Sequence, residues 1–254
     1  MSLSVVAVPG GVLPAAQRYA PLAAALKGEV DLHTKDLEVY ARAEPPGDYS
    51  IDLEVEALAQ FTDDLDLRRF HLLGYSGGGF VSLAFAGAHP DRLLSLALFE
   101  PADVPGEPSA EEAALRERLQ TRLAGLDQAT FMDMFVRLQV RPGVRVPQPS
   151  GPIPEWMRNR PAGLAAMMAA FRTYPFDREQ LRTWQFPVFL GYGELTAEQE
   201  ELKAAVLGRL VGDIHIRRFP GIHHFVPPER LYTPDHVHAL RGLWRGAEES
   251  PCGS

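Results

Sequence analysis

Short apolar runs alternate with segments of helical periodicity along the first hundred residues. The runs are rich in β-branched and apolar side chains, which is typical of buried strands, whereas the segments between them place apolar residues on one helical face. The predicted strands cover residues 4–8, 29–34, 69–75 and 93–99. The predicted helices are an alanine-rich segment that ends near residue 26, residues 51–65 after a capping Ser50, and residues 78–90. This order predicts an α/β fold with a mostly parallel sheet covered by helices.

The alternation stops after the fourth strand and resumes much later. Between 102 and 184 only helical periodicity is evident, and it is broken by a proline-rich stretch, RPGVRVPQPSGPIP. The sheet pattern then returns with strands at 186–192 and 213–219, a helix over 197–210 and a last helix that begins at Thr233-Pro234. We therefore expect a core formed by residues 1–101 and 185–254, with residues 102–184 inserted as a helical cap.

Composition narrows the class of protein. The chain of 254 residues is 46% hydrophobic and 23% charged, with a net charge of -8, so it can bury a core but has no excess of positive charge for nucleic acid. No apolar run approaches the ~18 residues of a membrane span, and no basic leader precedes the first strand. We expect a cytoplasmic protein with no nucleic-acid or membrane partner. Whether the protein forms a homo-oligomer is left open.

Cysteine and histidine positions give no sign of a metal or a cofactor. The single Cys252 lies in the polar tail, so no intrachain disulfide or cysteine cluster can form. His236 and His238 are two residues apart on a predicted helix and do not share a face. We expect no metal and no cofactor.

The stretch HLLGYSGGGF carries the first candidate for chemistry. Ser76 lies between a predicted strand and a predicted helix in G-x-S-x-G, the pattern of a nucleophile elbow, where a sharp turn raises the serine oxygen above the sheet. Two other interpretations compete: a glycine-rich phosphate loop, whose spacing the stretch does not match, and a plain glycine turn with a surface serine. We favour a nucleophilic serine.

A serine nucleophile needs a base and an oxyanion hole. His223 and His224 follow the last strand in RRFPGIHHFVPPE, where this kind of site has its histidine, and both qualify. The N–H groups of Gly11, in PGGV after the first strand, and of Gly77, directly after the serine, are the candidates for the oxyanion hole.

Together these residues resemble the α/β-hydrolase family: PGG, GYSGGG, the helical insertion and PGIHHF occur in its order. The family's closing motif is similar to P-G-x-G-H, and this resemblance implies that His224 is the base and that His223 occupies a position where glycine is common. The family also carries G-x-x-D after the strand that follows the cap. Here that stretch reads Gly193-Glu194-Leu195-Thr196, so the aspartate that orients the histidine is missing.

Some members of the family place the acid at the end of the strand after the nucleophile helix. Here Glu100 follows that strand directly, which makes it the preferred acid, at the sheet edge where such sites gather. Glu194 or Glu198 is one alternative, with Glu100 then a solvated loop residue, and a site without an orienting acid is the other.

Serine at the elbow indicates acyl transfer, so the expected activity is that of a serine esterase with a catalytic triad, acting on a small ester, thioester or lactone. Two alternatives remain: a small-molecule-binding protein with little turnover, and a C–C bond hydrolase or lyase with the same triad. The methionines and aromatic rings of the insertion suit an apolar acyl or ring compound, although such residues usually form core. The candidates for substrate contact are Tyr75, Met134, Trp156 and Met168. Arginines between 137 and 160 could receive a substrate carboxylate.

Overall fold

A single parallel sheet organises the protein. The computed structural model describes residues 3–146 and 154–249, and within them the sheet has the order β2-β1-β3-β4-β5-β6. The strands are β1 Leu3–Val8, β2 Val30–Thr34, β3 Phe70–Tyr75, β4 Leu93–Phe99, β5 Val188–Gly193 and β6 Ile214–Phe219. Each neighbouring pair is parallel. The predicted α/β fold is therefore confirmed.

Helices connect the strands and cover the sheet. They are α1 Ala15–Ala25, α2 Ile51–Asp64, α3 Gly77–Ala88, α4 Ala110–Leu123, α5 Gln128–Leu138, α6 Arg160–Thr173, α7 Gln199–Leu210, α8 Pro228–Leu231 and α9 Pro234–Glu249. Short 3-10 turns cover Glu38–Tyr40, Pro90–Arg92, Glu155–Met157 and Arg178–Thr183. The four-residue α8 has too few turns for a periodic signal, so the sequence does not predict it. No helix in the described ranges is long and apolar enough to cross a bilayer.

Alternating side chains of the strands build a core on each face of the sheet. Val5 and Ala7 of β1 point into a cluster with α1, α8 and α9. Val6 and Val8 point to the opposite face and join a cluster with α2, α3 and α7. Helices α4 to α6, which lie between β4 and β5 in the chain, contribute buried residues to that second cluster. That residues 102–184 act as a cap stays a prediction.

Parallel pairing brings the carboxyl ends of the strands to one edge. The segments that follow β1, β3, β4, β5 and β6 all begin there. They carry the candidate site residues Gly11, Ser76, Glu100 and His224, and also Thr196, although these residues are far apart in sequence.

Candidate active site

Ser76 occupies a strained turn between β3 and α3. Its φ of 52° lies in the left-handed region, which is unfavourable for a residue with a side chain and persists only where the surroundings hold it. The Ser76 N–H donates to the Phe99 carbonyl at 3.0 Å, and its own carbonyl accepts from Ala102 at 2.8 Å. A side chain at Gly78 would overlap the Pro9 carbonyl at the end of β1. Glycine at position 78 therefore allows the first turn of α3 to pack against the backbone at the end of β1.

His224 connects Ser76 to a carboxylate. Its Nε2 lies 3.1 Å from the Ser76 Oγ, and its Nδ1 lies 2.7 Å from the Glu100 Oε2. Because an ionised carboxylate can only accept, Nδ1–H donates to Glu100, and Nε2 is left to accept the serine hydroxyl. The Tyr75 hydroxyl donates to the His224 carbonyl, which fixes the backbone of the histidine from the opposite side.

Glu100 is held from two sides. It follows β4 with a φ of 46° and is 3% exposed. Its Oε1 accepts from the Gly193 N–H at 2.7 Å and from the Thr196 hydroxyl at 2.5 Å, which leaves Oε2 for His224. Burial alone raises the pKa of this carboxyl, but the hydrogen bond and charge of His224, together with the bonds from Thr196 and Gly193, outweigh burial and hold the pKa below its usual value.

The alternative carboxylates face other partners. The Glu194 Oε2 accepts from the Gly221 N–H at 3.2 Å, and its Oε1 lies 3.6 Å from Arg218. The side chain of Glu198 is 82% exposed and lies 3.8 Å from Arg141. Of these three carboxylates, only Glu100 is hydrogen-bonded to His224.

The His223 imidazole is engaged by the backbone of its own loop. Its Nδ1 accepts the Phe225 N–H at 3.1 Å, and desolvation by burial lowers the pKa of its imidazole. The side chain thus braces the loop after β6.

The two candidate oxyanion-hole glycines adjoin each other. A methyl group placed on Gly77 would lie 3.7 Å from the Gly11 nitrogen and 2.7 Å from the Met167 Cε. One placed on Gly11 would overlap Leu164 and lie 3.0 Å from the same Met167 atom. Both backbone segments therefore border one narrow gap beside Ser76, and Met167 forms its wall.

A large cavity of about 150 Å³ borders Ser76 and Gly77. Its apolar lining comes mainly from α4, α5 and α6 and includes Leu119, Leu123, Phe135, Leu164, Met167 and Met168. Several charged residues of the lining are paired: Glu112 receives two hydrogen bonds from Arg178, and Asp103 lies 2.7 Å from Arg116. Arg172 also lines the cavity, and none of the ion pairs in the described ranges includes it. The surface offered to a ligand is therefore mainly, but not wholly, apolar.

Lys203 lies at the end of this cavity. Its ammonium donates to the Pro101 carbonyl and pairs with the buried Glu200. Burial is the main reason that the pKa of Glu200 is raised to about 7, although the charge of Lys203 lowers it.

A second, smaller cavity of about 10 Å³ also borders Ser76. Its lining includes Gly11, Arg18, Tyr75, His224 and Phe225. Such a volume has room for about one water-sized group.

The substrate-contact predictions fare unevenly. Met168 lines the large cavity, and Tyr75 lines the small one, although the Tyr75 hydroxyl is already bonded to His224. Met134 and Trp156 line neither cavity. Met134 packs against the core, and Trp156 lies under the Arg160 guanidinium, 5.6 Å from its carbon. The structure therefore brings neither residue to these two cavities, because helical periodicity does not tell which apolar residue of a segment faces the serine, and their contact with a substrate stays a prediction.

The structure adds residues that sequence reasoning missed. Met167, Leu164 and Phe135 line the large cavity, and only the packing of α5 and α6 distinguishes them from their apolar neighbours. Arg18 also borders the serine, and no motif pointed to it.

Three of the five arginines between 137 and 160 that could receive a carboxylate are engaged elsewhere. Arg137 pairs with Asp133 at 2.8 Å, Arg141 pairs with Glu201 at 2.6 Å, and the Arg160 guanidinium carbon lies 3.8 Å from the Tyr40 ring centroid. Within 3–146 and 154–249 no group of three or more His, Cys, Asp or Glu side chains could hold a metal. Cys252 lies outside these ranges.

Comparison with known proteins fits this architecture. Residues 21–192 match the model of the alpha/beta hydrolase fold family, and the chain therefore belongs to that family.

Similar solved structures share its fold. A thermophilic esterase from Thermogutta terrifontis is 20% identical with a TM-score of 0.71, and the match covers 97% of this chain and 91% of that one. MenH from S. aureus is 16% identical with a TM-score of 0.72 and coverages of 97% and 95%. Carboxylesterase CesB from Bacillus subtilis is 19% identical with a TM-score of 0.68 and coverages of 96% and 84%.

One curated relative matches a short segment. "Putative carbamate hydrolase RutD" of Caulobacter segnis is 44% identical over 55 residues, which is 22% of this chain and 21% of the relative. The match thus spans about a fifth of that relative's length.

Proposed function

We propose that the protein is a serine hydrolase that cleaves small carboxylic esters, thioesters or lactones through an acyl-enzyme intermediate. The observation that carries this proposal is the hydrogen-bonded chain from the Ser76 Oγ through both nitrogens of His224 to Glu100, with distances of 3.1 Å and 2.7 Å. Nucleophile, base and orienting acid are the parts that acyl transfer requires.

Each part has a defined role in the reaction. The Ser76 oxygen attacks the carbonyl carbon while His224 Nε2 takes the hydroxyl proton, and the carbonyl oxygen becomes an oxyanion held by the N–H groups of Gly11 and Gly77. The bond to the leaving group then breaks, and His224 returns the proton to the leaving oxygen. Water attacks the acyl-serine with the same assistance and releases the acid. Glu100 stays ionised and stabilises the imidazolium throughout.

The large cavity supports an apolar acyl group as substrate. It begins at Ser76 and Gly77 and continues between leucine, methionine and phenylalanine side chains, so an acyl chain or ring would exchange water for apolar contacts. In this proposal residues 102–184 act as the cap that encloses the acyl group. The Asp103 and Glu112 carboxylates that border this cavity are paired with Arg116 and Arg178.

The experiment compares hydrolysis of p-nitrophenyl butyrate by the wild type and Ser76→Ala. Ser50→Ala is the matched control, because Ser50 caps α2 and is remote from the site. We expect Ser76→Ala to lose essentially all turnover and all labelling by a fluorophosphonate, whereas Ser50→Ala keeps both. Wild-type protein that neither turns over the ester nor reacts with the probe would instead indicate a binding protein. Covalent labelling with poor ester turnover would direct the search to C–C bond substrates.

The local match to a carbamate hydrolase adds a second substrate class. A carbamate presents the same carbonyl carbon to Ser76, and only the acyl group differs. Release of ammonia from a simple alkyl carbamate, measured beside butyrate release, would decide between the two classes.

A further inference from the structure

A buried ion pair on helix α7 adjoins the segment that follows Glu100. Glu200 and Lys203 are three residues apart and share one face of the helix, and their side chains are 2% and 8% exposed. The Lys203 ammonium contacts the Glu200 carboxylate. It also donates to the backbone carbonyl of Pro101, at 2.5 Å, and more weakly to that of Ala102, at 3.4 Å. An ammonium has three N–H donors, so each of them has an oxygen within reach.

The carbonyls that Lys203 binds belong to a short segment that links two parts of the site. Glu100, the carboxylate that contacts the imidazole, begins this segment. At its other end the Ala102 N–H donates to the Ser76 carbonyl at 2.8 Å. Pro101 between them has no N–H, so its carbonyl is the only backbone group through which a hydrogen bond can hold it.

Glu100 depends on such support because its backbone is strained. Its φ of 46° lies in the left-handed region, and a residue with a side chain stays there only where its surroundings hold it. The Glu100 N–H donates to the Gly191 carbonyl of β5 at 3.0 Å. A side chain at Gly79 would lie 2.9 Å from the Pro101 Cα, so Pro101 packs against the first turn of α3. Lys203 adds a contact from α7.

We propose that Lys203 positions the acid of the triad: its bond to the Pro101 carbonyl holds Glu100 in the orientation that meets the imidazole. Glu200 compensates the charge of the buried ammonium. This inference rests on the proposed serine hydrolase function, because it concerns the acid of that same site. Lys203 also lines the large cavity, so contact with the acyl group is the competing role that the test separates from positioning.

The test measures kcat and KM of Lys203→Met with p-nitrophenyl butyrate. Methionine keeps a linear apolar side chain but removes the donors. Because misplacement of a catalytic group by about 1 Å can cost about a hundred-fold, we expect kcat to fall roughly ten- to hundred-fold. KM should stay within a few-fold of the wild-type value. Loss of a substrate contact would instead raise KM with kcat unchanged, and that result would overturn the proposal.

Proton NMR of the substrate-free protein gives a readout that does not depend on turnover. The proton on His224 Nδ1 lies in a hydrogen bond of 2.7 Å to Glu100, so it resonates far downfield, and its loss in His224→Gln identifies it. We expect this resonance to shift upfield or disappear in Lys203→Met, because the bond lengthens when Glu100 moves. An unchanged resonance in folded Lys203→Met would contradict the proposal.

A double variant separates positioning from charge compensation. Lys203→Met leaves the buried Glu200 without its counter-charge, which destabilises the fold. Lys203→Met/Glu200→Gln removes that charge and serves also if the single variant does not fold. The double variant should regain stability in urea unfolding but neither kcat nor the resonance, because the Pro101 carbonyl is still unheld. Recovery of both would overturn the role of the carbonyl bond.

Lys35→Met is the matched control. Lys35 forms the same kind of ion pair, with Glu38 three residues on at 2.7 Å, and also donates to a backbone carbonyl, that of Asp36 at 3.1 Å. It borders neither cavity, so this variant should keep the wild-type kcat and resonance. A wild type inactive on p-nitrophenyl butyrate would contradict the hydrolase function, whereas the NMR comparison would still test the position of Glu100.

Discussion

The Thr196 hydroxyl donates a hydrogen bond to Glu100, with 2.5 Å between Oγ1 and Oε1. Thr196 stands where the family's usual aspartate is expected, and Glu100 is the carboxylate that contacts His224. The position that would have supplied the acid therefore supports an acid from the neighbouring strand. A carboxylate in both places would suffer like-charge repulsion in a buried site, whereas a hydroxyl beside Glu100 stabilises its ionised form.

Thr196→Val should raise the pKa of Glu100 and weaken the triad. The substitution keeps the shape but removes a donor to a buried carboxylate, a bond worth about 1.5–3 kcal/mol. The bond lowers the pKa of Glu100, so its loss raises that pKa and moves the acid limb of the pH profile of kcat/KM to higher pH. We expect kcat to fall about ten-fold. Thr196→Ser retains the hydroxyl and should therefore keep both the wild-type kcat and the wild-type acid limb. An acid limb that does not move in Thr196→Val would contradict the role of the Thr196 hydroxyl.

Glu100→Gln should reduce kcat by about two to four orders of magnitude. The amide can no longer stabilise the imidazolium, and its NH₂ group can oppose the required tautomer of His224. Glu194→Gln is the matched control, because the Glu194 carboxylate contacts Gly221 and Arg218. The kcat of this variant should stay within a few-fold of the wild-type value. If Glu194→Gln lost kcat to this extent while Glu100→Gln kept most of it, Glu194 rather than Glu100 would be the acid that orients His224.

Met167→Ala should shift the acyl preference towards longer chains. The Met167 side chain fills the space in front of Gly77 and Gly11, and its truncation would admit additional methylene groups, each worth about 0.8 kcal/mol on burial. The measurement is kcat/KM for p-nitrophenyl esters from acetate to decanoate. Met134→Ala is the control, since Met134 is partly buried outside both cavities, and its optimum should match that of the wild type.

Acid should destabilise the fold through His71 and His236. Burial lowers the pKa of both imidazoles to about 4, whereas their pKa in the unfolded chain is about 6.5. The unfolded state thus binds more protons, so stability is complete above about pH 6.5 and falls as the pH drops towards about 4, by up to roughly 3 kcal/mol per histidine.

Urea unfolding at pH 7.0 and pH 4.5 tests this expectation. His71→Gln keeps a polar side chain beside Ser95, which lies 2.8 Å from the His71 Nδ1, and should lose less stability between the two pH values than the wild type. His238→Gln replaces an exposed histidine and should leave the pH dependence unchanged. Equal pH dependence in His71→Gln and the wild type would exclude this histidine as a cause.

Local patterns were sufficient to predict the sheet and the elbow. Strand β3 is a mostly apolar run with one histidine, and the glycines after it permit the tight turn at Ser76, so the hydrophobic pattern and the turn chemistry indicated the same structure. Such patterns were not sufficient to choose which residues of the insertion face the serine, as Met134 and Trp156 illustrate. Both are apolar residues of the predicted insertion, but the direction of each side chain depends on how the helices pack.

The sequence by itself determined the order of strands and helices and the position of the serine, because these depend on neighbouring residues. Only the tertiary structure decided which carboxylate meets His224, that Thr196 supports Glu100, that Met167 walls the cavity and that the buried Arg18 guanidinium lies over the Tyr75 ring. Contacts between Glu100 and His224 join residues 124 positions apart. They arise where parallel strands end at a common edge, and the geometry of the loops beyond that edge is not encoded in any local period.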